Sequence, residues 1–200
     1  MTGVRHFGAE ATEKVAQEAL RHRLPCVVGF GLGGDEIHYP PEQFKRTYAI
    51  ASEGGLACTI HAGEFSSAES MLLALKTLPI KRVGHGVAAI HCPEVMALLK
   101  DRQIILEICP SSNLMLGLFP SLQAHPLPQL MQAGIHTCLN SDDPPFFHTH
   151  LANEYERVRQ AFQFSPEVML TFTRNACEAA FADEATKQTL RERLMQWPTP

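Results

Sequence analysis

The chain has 200 residues, 45% of them hydrophobic and 19% charged, with a formal net charge of −4. That balance describes one globular domain over residues 1–200 and excludes a disordered or membranous chain. No apolar run approaches the ~18–20 residues that span a bilayer, the opening residues lack a signal-peptide core, and there is no basic cluster, so neither a membrane nor a nucleic acid is expected as partner.

In chain order, a stub precedes the helical stretch Ala9–Arg21 and is too short to read as a strand. Pro25–Phe30 is the first strand candidate. The glycine-rich Gly31-Leu32-Gly33-Gly34-Asp35-Glu36 follows it, without the spacing of a phosphate loop or a dinucleotide fingerprint. Pro40-Pro41-Glu42 opens a helix that Gly54-Gly55 stops. Leu56–Ile60 is the next strand, running into His61-Ala62-Gly63-Glu64. Ser66 or Ser67 can cap a helix whose apolar face is Met71, Leu72, Leu75 and Leu78.

Lys81–Gly84 is a third strand, meeting Gly84-His85-Gly86. Pro93-Glu94 begins a helix with Val95, Leu98 and Leu99 inward. Ile104–Cys109 and Ile135–Leu139 are the last strands, the second leading to Ser141-Asp142-Asp143. Ser165-Pro166-Glu167 opens a helix carrying Val168, Met169 and Phe172, and Asp183 caps a final one running toward Trp197-Pro198.

Strands and helices alternating every ~25–30 residues imply βα units and a parallel sheet. The polar motifs fall just past the strand ends, where both (β/α)₈ barrels and doubly wound sheets bind ligands. Reactive residues on several successive strands must converge, which favours the barrel. Five strands do not close one. The expected architecture is therefore α/β: a partial TIM (β/α)₈ barrel of about five C-terminal βα units with C-terminal helices.

The motifs supply two imidazoles and three carboxylates. A neutral His61 at a strand end suits a zinc ion, and Glu64 beyond it can move protons. Read singly, His61 is equally a hydrogen-bonded core histidine, Glu64 a helix-entry charge and His85 a turn residue. Asp142-Asp143 is the stronger signal, because adjacent buried carboxylates need a cation or protons between them. The alternative is a solvated turn ahead of Pro144-Pro145. His148-Thr149-His150 has the spacing of a metal pair but reads as loop and helix start, while His91, His125 and His136 read as surface or packing residues. The six cysteines form no C-x-x-C pair. Cys26, Cys58, Cys109 and Cys138 lie in apolar runs, so buried free thiols and a cytoplasmic setting are expected.

Taken together, Thr59-Ile60-His61-Ala62-Gly63-Glu64, Arg82-Val83-Gly84-His85-Gly86, Glu107-Ile108-Cys109-Pro110-Ser111-Ser112-Asn113 and Leu139-Asn140-Ser141-Asp142-Asp143-Pro144 resemble successive motifs of the adenosine deaminase family. Gly33-Gly34-Asp35-Glu36 and the closing Asn175-Ala176 to Phe181 fit in the same order. The resemblance implies a zinc-dependent barrel amidohydrolase that replaces the 6-amino group of adenosine with oxygen, giving inosine and ammonia. It implies His61 and Asp142 as zinc ligands, Glu64 as proton shuttle to the purine ring and His85 as the residue that orients and helps deprotonate the attacking water. It also implies that Asp143 contacts that water and the five-membered ring, and that the Gly34 N–H holds another ring nitrogen.

Two departures follow from the same comparison. The family's H-x-H zinc pair, on its first barrel strand, has no counterpart here, so two further histidine ligands are expected on a preceding segment. Gly31 stands where many members carry aspartate. The chain is therefore expected to be the C-terminal part of such an enzyme, inactive or nearly so alone, and prone to self-association through open strand edges. An adenine deaminase, another amidohydrolase and a non-catalytic remnant acting as an interaction module are the alternatives.

Overall fold

In the computed structural model, which describes residues 1–197, the chain forms two compact units, Met1–Ile104 and the part from Ile105 onward. The first unit holds four parallel strands, β1 (Thr2–Val4), β2 (Gly29–Gly33), β3 (Ala57–Ala62) and β4 (Ile80–His85), side by side in chain order. Between them run α1 (Gly8–Arg21), α2 (Lys45–Glu53) and α3 (Ala68–Thr77), with α4 (Pro93–Asp101) after β4.

The second unit begins with β5 (Ile105–Ile108) and the short α5 (Pro110–Met115) and α6 (Leu127–Gln132). It continues with β6 (Thr137–Leu139), the single turn α7 (Pro144–Phe147), α8 (Leu151–Phe162), α9 (Pro166–Ala179) and α10 (Glu184–Met195). Strands β5 and β6 pair in parallel, Leu106 opposite Thr137 and Ile108 opposite Leu139. Strand–helix alternation with parallel pairing is thus the rule in both units.

The helices begin and end where their residues allow. Ser67 caps α3 by accepting the Ser70 N–H at 3.4 Å, and Asp183 caps α10 by accepting the Thr186 N–H at 2.7 Å. Ser165 does the same for α9, whose Met169 and Phe172 are buried. Gly55, at φ 79°, ends α2 in the left-handed conformation that glycine adopts without strain. In α3, Met71 and Leu75 are fully buried, and Leu78 caps the end from within the core. Pro198, to which the last helix was expected to run, lies outside the described residues.

Three expectations change. The opening stub is a strand after all: Thr2–Val4 pairs with Gly31–Gly33, because three residues suffice when a neighbouring edge supplies the hydrogen bonds. Among the described residues there are therefore six strands rather than five. Strand β2 lies later than Pro25–Phe30 and runs through the glycines. The reason is close approach: a Cβ on Gly31 would sit 3.1 Å from the Thr59 methyl. Cys26, displaced from that strand, is exposed, whereas Cys58, Cys109 and Cys138 are buried free thiols as expected. Among the described residues, no helix is long and apolar enough to cross a membrane.

Candidate active site

Strands β3 and β4 bring the first two motifs together. Their register sets His61 opposite Gly84 and Ala62 opposite His85. The His61 and His85 rings meet edge to face, 4.7 Å between centroids and 73° between planes. Room for the His61 ring comes from glycine on both sides. A Cβ on Gly33 would lie 3.6 Å from it, and one on Gly84 only 2.9 Å from its Cδ2. The glycine before His85 thus accommodates the neighbouring imidazole.

Glu64 closes the group. Its Oε1 lies 3.3 Å from His85 Nδ1, and both side chains are nearly withdrawn from solvent. One ligand atom each from His61, Glu64 and His85 falls within 4.8 Å of the others. Burial pushes His85 down to about 3, with His61 as a second cause, so its ring is neutral near pH 7. His85 also adopts φ 61°, in the left-handed region. A non-glycine residue held there costs of order 1–3 kcal/mol and persists only where its surroundings determine it. Gly34 lies just past β2 at φ 94°, where a Cβ would approach His6 Nδ1 to 3.2 Å.

The loop carrying Glu64 is tied to residues that sequence reading did not single out. Arg5 is 1% exposed and donates to the carbonyls of Tyr39 (2.7 Å) and His61 (2.6 Å). Glu36 is 3% exposed, and its Oε2 accepts from the N–H groups of Gly63, Glu64 and Ser66 and from the Ser66 hydroxyl. An arginine in a short stub carries no periodic or motif signal, and only its burial marks it.

In the second unit Asp142 follows β6 and Ser112 lies in α5. The Ser112 hydroxyl donates to Asp142 Oδ2 at 2.7 Å. Asp142, at φ 56°, is after His85 the second non-glycine residue of the expected site held in the left-handed region. Asp143 is exposed, and its carbonyl receives the N–H groups of Phe146 and Phe147 in the turn of α7. The α5 end of the unit is braced from below. Fully buried Glu154 accepts the Ser111 N–H at 3.0 Å and the Thr149 hydroxyl at 2.5 Å, while Arg157 donates to the Ser111 hydroxyl at 2.6 Å. His150 accepts the Asn153 N–H at the start of α8, a helix-start role. Asn175 in α9 donates to the Thr137 carbonyl at 2.8 Å, tying that helix to β6.

The model of the adenosine deaminase family matches residues 1–197. The chain belongs to the adenosine deaminase family. It is 47% identical over 194 residues to an adenine deaminase of Chelativorans sp. (strain BNC1), covering 97% of this chain and 60% of that protein. An adenine deaminase of Sinorhizobium medicae (strain WSM419) is 46% identical over 190 residues, 95% of this chain and 59% of the relative.

Among solved structures, an adenine deaminase from Arthrobacter aurescens superposes with TM-score 0.93 at 31% identity, over 98% of this chain and 60% of that one. An amidohydrolase from Burkholderia ambifaria with bound Zn gives 0.91 at 25% identity, over 97% and 54%. The N6-methyl-AMP deaminase of Arabidopsis thaliana gives 0.87 at 27%, over 98% and 57%. The fold of this family member is a partial α/β barrel of the deaminase type, and the chain spans about 60% of the length of the curated relatives it matches.

Proposed function

We propose that this chain carries most of the centre of a zinc-dependent hydrolytic deaminase acting on a 6-aminopurine, with the free base adenine as its substrate. The observation that carries the reading is the convergence of His61, Glu64 and His85 within 4.8 Å at the ends of two adjacent strands. The choice of adenine over adenosine rests on relatives at 47% and 46% identity that are named adenine deaminases. Adenosine remains the second reading, because the matching family model carries that description.

The donor set fits zinc. His61 presents an imidazole that Gly33 and Gly84 leave room for, and imidazole with carboxylate is ordinary zinc ligation. The proposal assigns His61 and Asp142 to the metal by their motifs. A catalytic zinc takes three protein ligands and one open position, so the working centre needs donors beyond these two. When bound, zinc supplies Lewis acidity that makes water a nucleophile near neutral pH.

The remaining roles belong to the chain's own groups. Glu64, buried beside His85, delivers a proton to the purine ring nitrogen next to the carbon that loses ammonia, which makes that carbon electrophilic. His85, kept neutral by burial, orients the attacking water and accepts its proton. Asp143 contacts the attacking water and the purine's five-membered ring, and the Gly34 N–H holds another ring nitrogen. All of these roles follow the family pattern and the positions in this sequence.

The test offers adenine and adenosine separately to the zinc-loaded chain, and to the chain preceded by any in-frame coding sequence upstream. Products are separated and ammonia is measured. Hypoxanthine forming from adenine faster than inosine from adenosine supports the proposal. The reverse order favours the nucleoside. No ammonia from either substrate with the extended chain, zinc bound, leaves a non-catalytic remnant. The chain alone is expected to be inactive or nearly so, and to associate with itself at raised concentration.

A further inference from the structure

The His61–Ser66 turn is held from two sides by two buried charges. Arg5, from the residue after β1, binds the His61 carbonyl at 2.6 Å and the Tyr39 carbonyl at 2.7 Å. Its guanidinium also lies over the Phe44 ring, 5.9 Å from the centroid. Glu36, just past β2, gathers the N–H groups of Gly63 (2.9 Å), Ser66 (3.2 Å) and Glu64 (3.3 Å) and the Ser66 hydroxyl (2.5 Å) on one oxygen. Gly63 itself takes φ 75°, and its carbonyl accepts the Ala88 N–H at 3.0 Å.

Two features separate this arrangement from ordinary packing. Arg5 and Glu36 are both almost wholly buried, and they reach the same turn from the ends of the neighbouring strands β1 and β2. Each also keeps one buried atom, Arg5 Nε and Glu36 Oε1, without a hydrogen-bond partner among the described residues. Buried charged groups satisfied only in part are poorly made for stability. What they do deliver is a defined backbone from residue 61 to residue 66.

We propose that Arg5 and Glu36 are positioning residues that together set the His61–Ser66 turn, so that the His61 imidazole and the Glu64 carboxyl face one ligand. The proposal rests on the metal and proton-transfer reading of those two side chains. Arg5 acts from the strand side through a carbonyl, Glu36 from the loop side through amides. Outer partners of this kind orient ligands they never touch.

The test uses the full chain and the variants Arg5→Lys, Arg5→Met and Glu36→Gln, with Leu99→Ala as a buried substitution outside the turn. Amide exchange at Gly63, Glu64 and Ser66 is read by NMR, and zinc alone is titrated against the His61 ring resonances. Arg5→Met and Glu36→Gln are expected to speed exchange at those amides and to weaken the zinc response about 10–100-fold. Arg5→Lys, which keeps the charge but not the fork, is expected to lose less. Leu99→Ala should lower the melting temperature and leave the zinc response unchanged.

Unchanged exchange at the turn in both Arg5→Met and Glu36→Gln overturns the proposal. So does faster exchange with an unchanged zinc response, or a loss in Leu99→Ala equal to theirs. If the unsubstituted chain shows no zinc response at all, the metal reading fails, and the exchange comparison alone decides whether the pair sets the turn.

Discussion

Ser112 donates its hydroxyl to Asp142 Oδ2 across 2.7 Å, joining the start of α5 to the turn after β6. This bond engages one carboxylate oxygen and steadies a residue held at φ 56°. Ser112→Ala is predicted to weaken zinc binding or deamination about 10–100-fold, as loss of an outer hydrogen bond to a metal ligand does. Global stability should fall by only about 1 kcal/mol. Zinc titration beside thermal unfolding checks both, and a large stability loss with intact zinc binding would make the bond purely structural.

Gly84 is the tightest point around His61, because a Cβ there would come within 2.9 Å of the ring. Gly84→Ala is therefore predicted to displace the imidazole and to reduce zinc binding or activity, on the order of 100-fold for a misplacement near 1 Å. Gly33→Ala adds a methyl at an ordinary 3.6 Å and should be close to neutral. Comparing the two alanines separates crowding of His61 from a general cost of replacing strand glycines.

Glu64→Gln keeps the shape and removes the transferable proton. Under the proposed chemistry it should lower kcat by about 10²–10⁴ and leave zinc binding in place. The isosteric amide can occupy the same place, 3.3 Å from His85 Nδ1, so folding should be little affected. Single-turnover rates at saturating adenine, measured on the chain preceded by its in-frame upstream sequence and with zinc content determined on the same samples, provide the check. Retained turnover would remove Glu64 from proton transfer.

His125 provides a pH handle away from the expected site. Its Nδ1 accepts the Leu127 N–H at 3.1 Å, so the ring proton sits on Nε2, 3.1 Å from Asn113 Oδ1. Burial lowers its pKa from 6.5 to about 4. Between those values the unfolded chain binds the proton and the folded one does not, so stability is fully present above about 6.5 and is lost as pH falls toward 4. The loss from this residue is about 3 kcal/mol at most. Urea unfolding at pH 7 and pH 4.5 should show a smaller difference in His125→Asn, whose amide oxygen can still accept the Leu127 N–H.

Much of the framework was legible because it is local. Helix starts at Ser67, Ser165 and Asp183 depend on a side chain reaching an amide three residues on. The strands around His61, His85 and Asp142 show as apolar runs because buried strands need them. Periodicity sets a strand at Pro25–Phe30 and passes over β2 because glycine hides a strand: its reason for being there is the neighbouring Thr59 and His61, which periodicity does not contain. The three-residue β1 escaped for the same kind of reason, since its partner Gly31–Gly33 makes it a strand.

The family, the order of its motifs and the residue types able to do chemistry are therefore properties of the chain as written, since each rests on neighbours a few positions apart. Folding decided which of them meet. His61 and His85 come to 4.7 Å because parallel strands in register set successive strand ends side by side. Arg5 reaches the His61 carbonyl across 56 positions. Burial then turns an ordinary histidine into a neutral one and an arginine in a short stub into a support for the turn. Dielectric environment and contact between distant residues belong to the packed molecule, and no short stretch of sequence encodes either by itself.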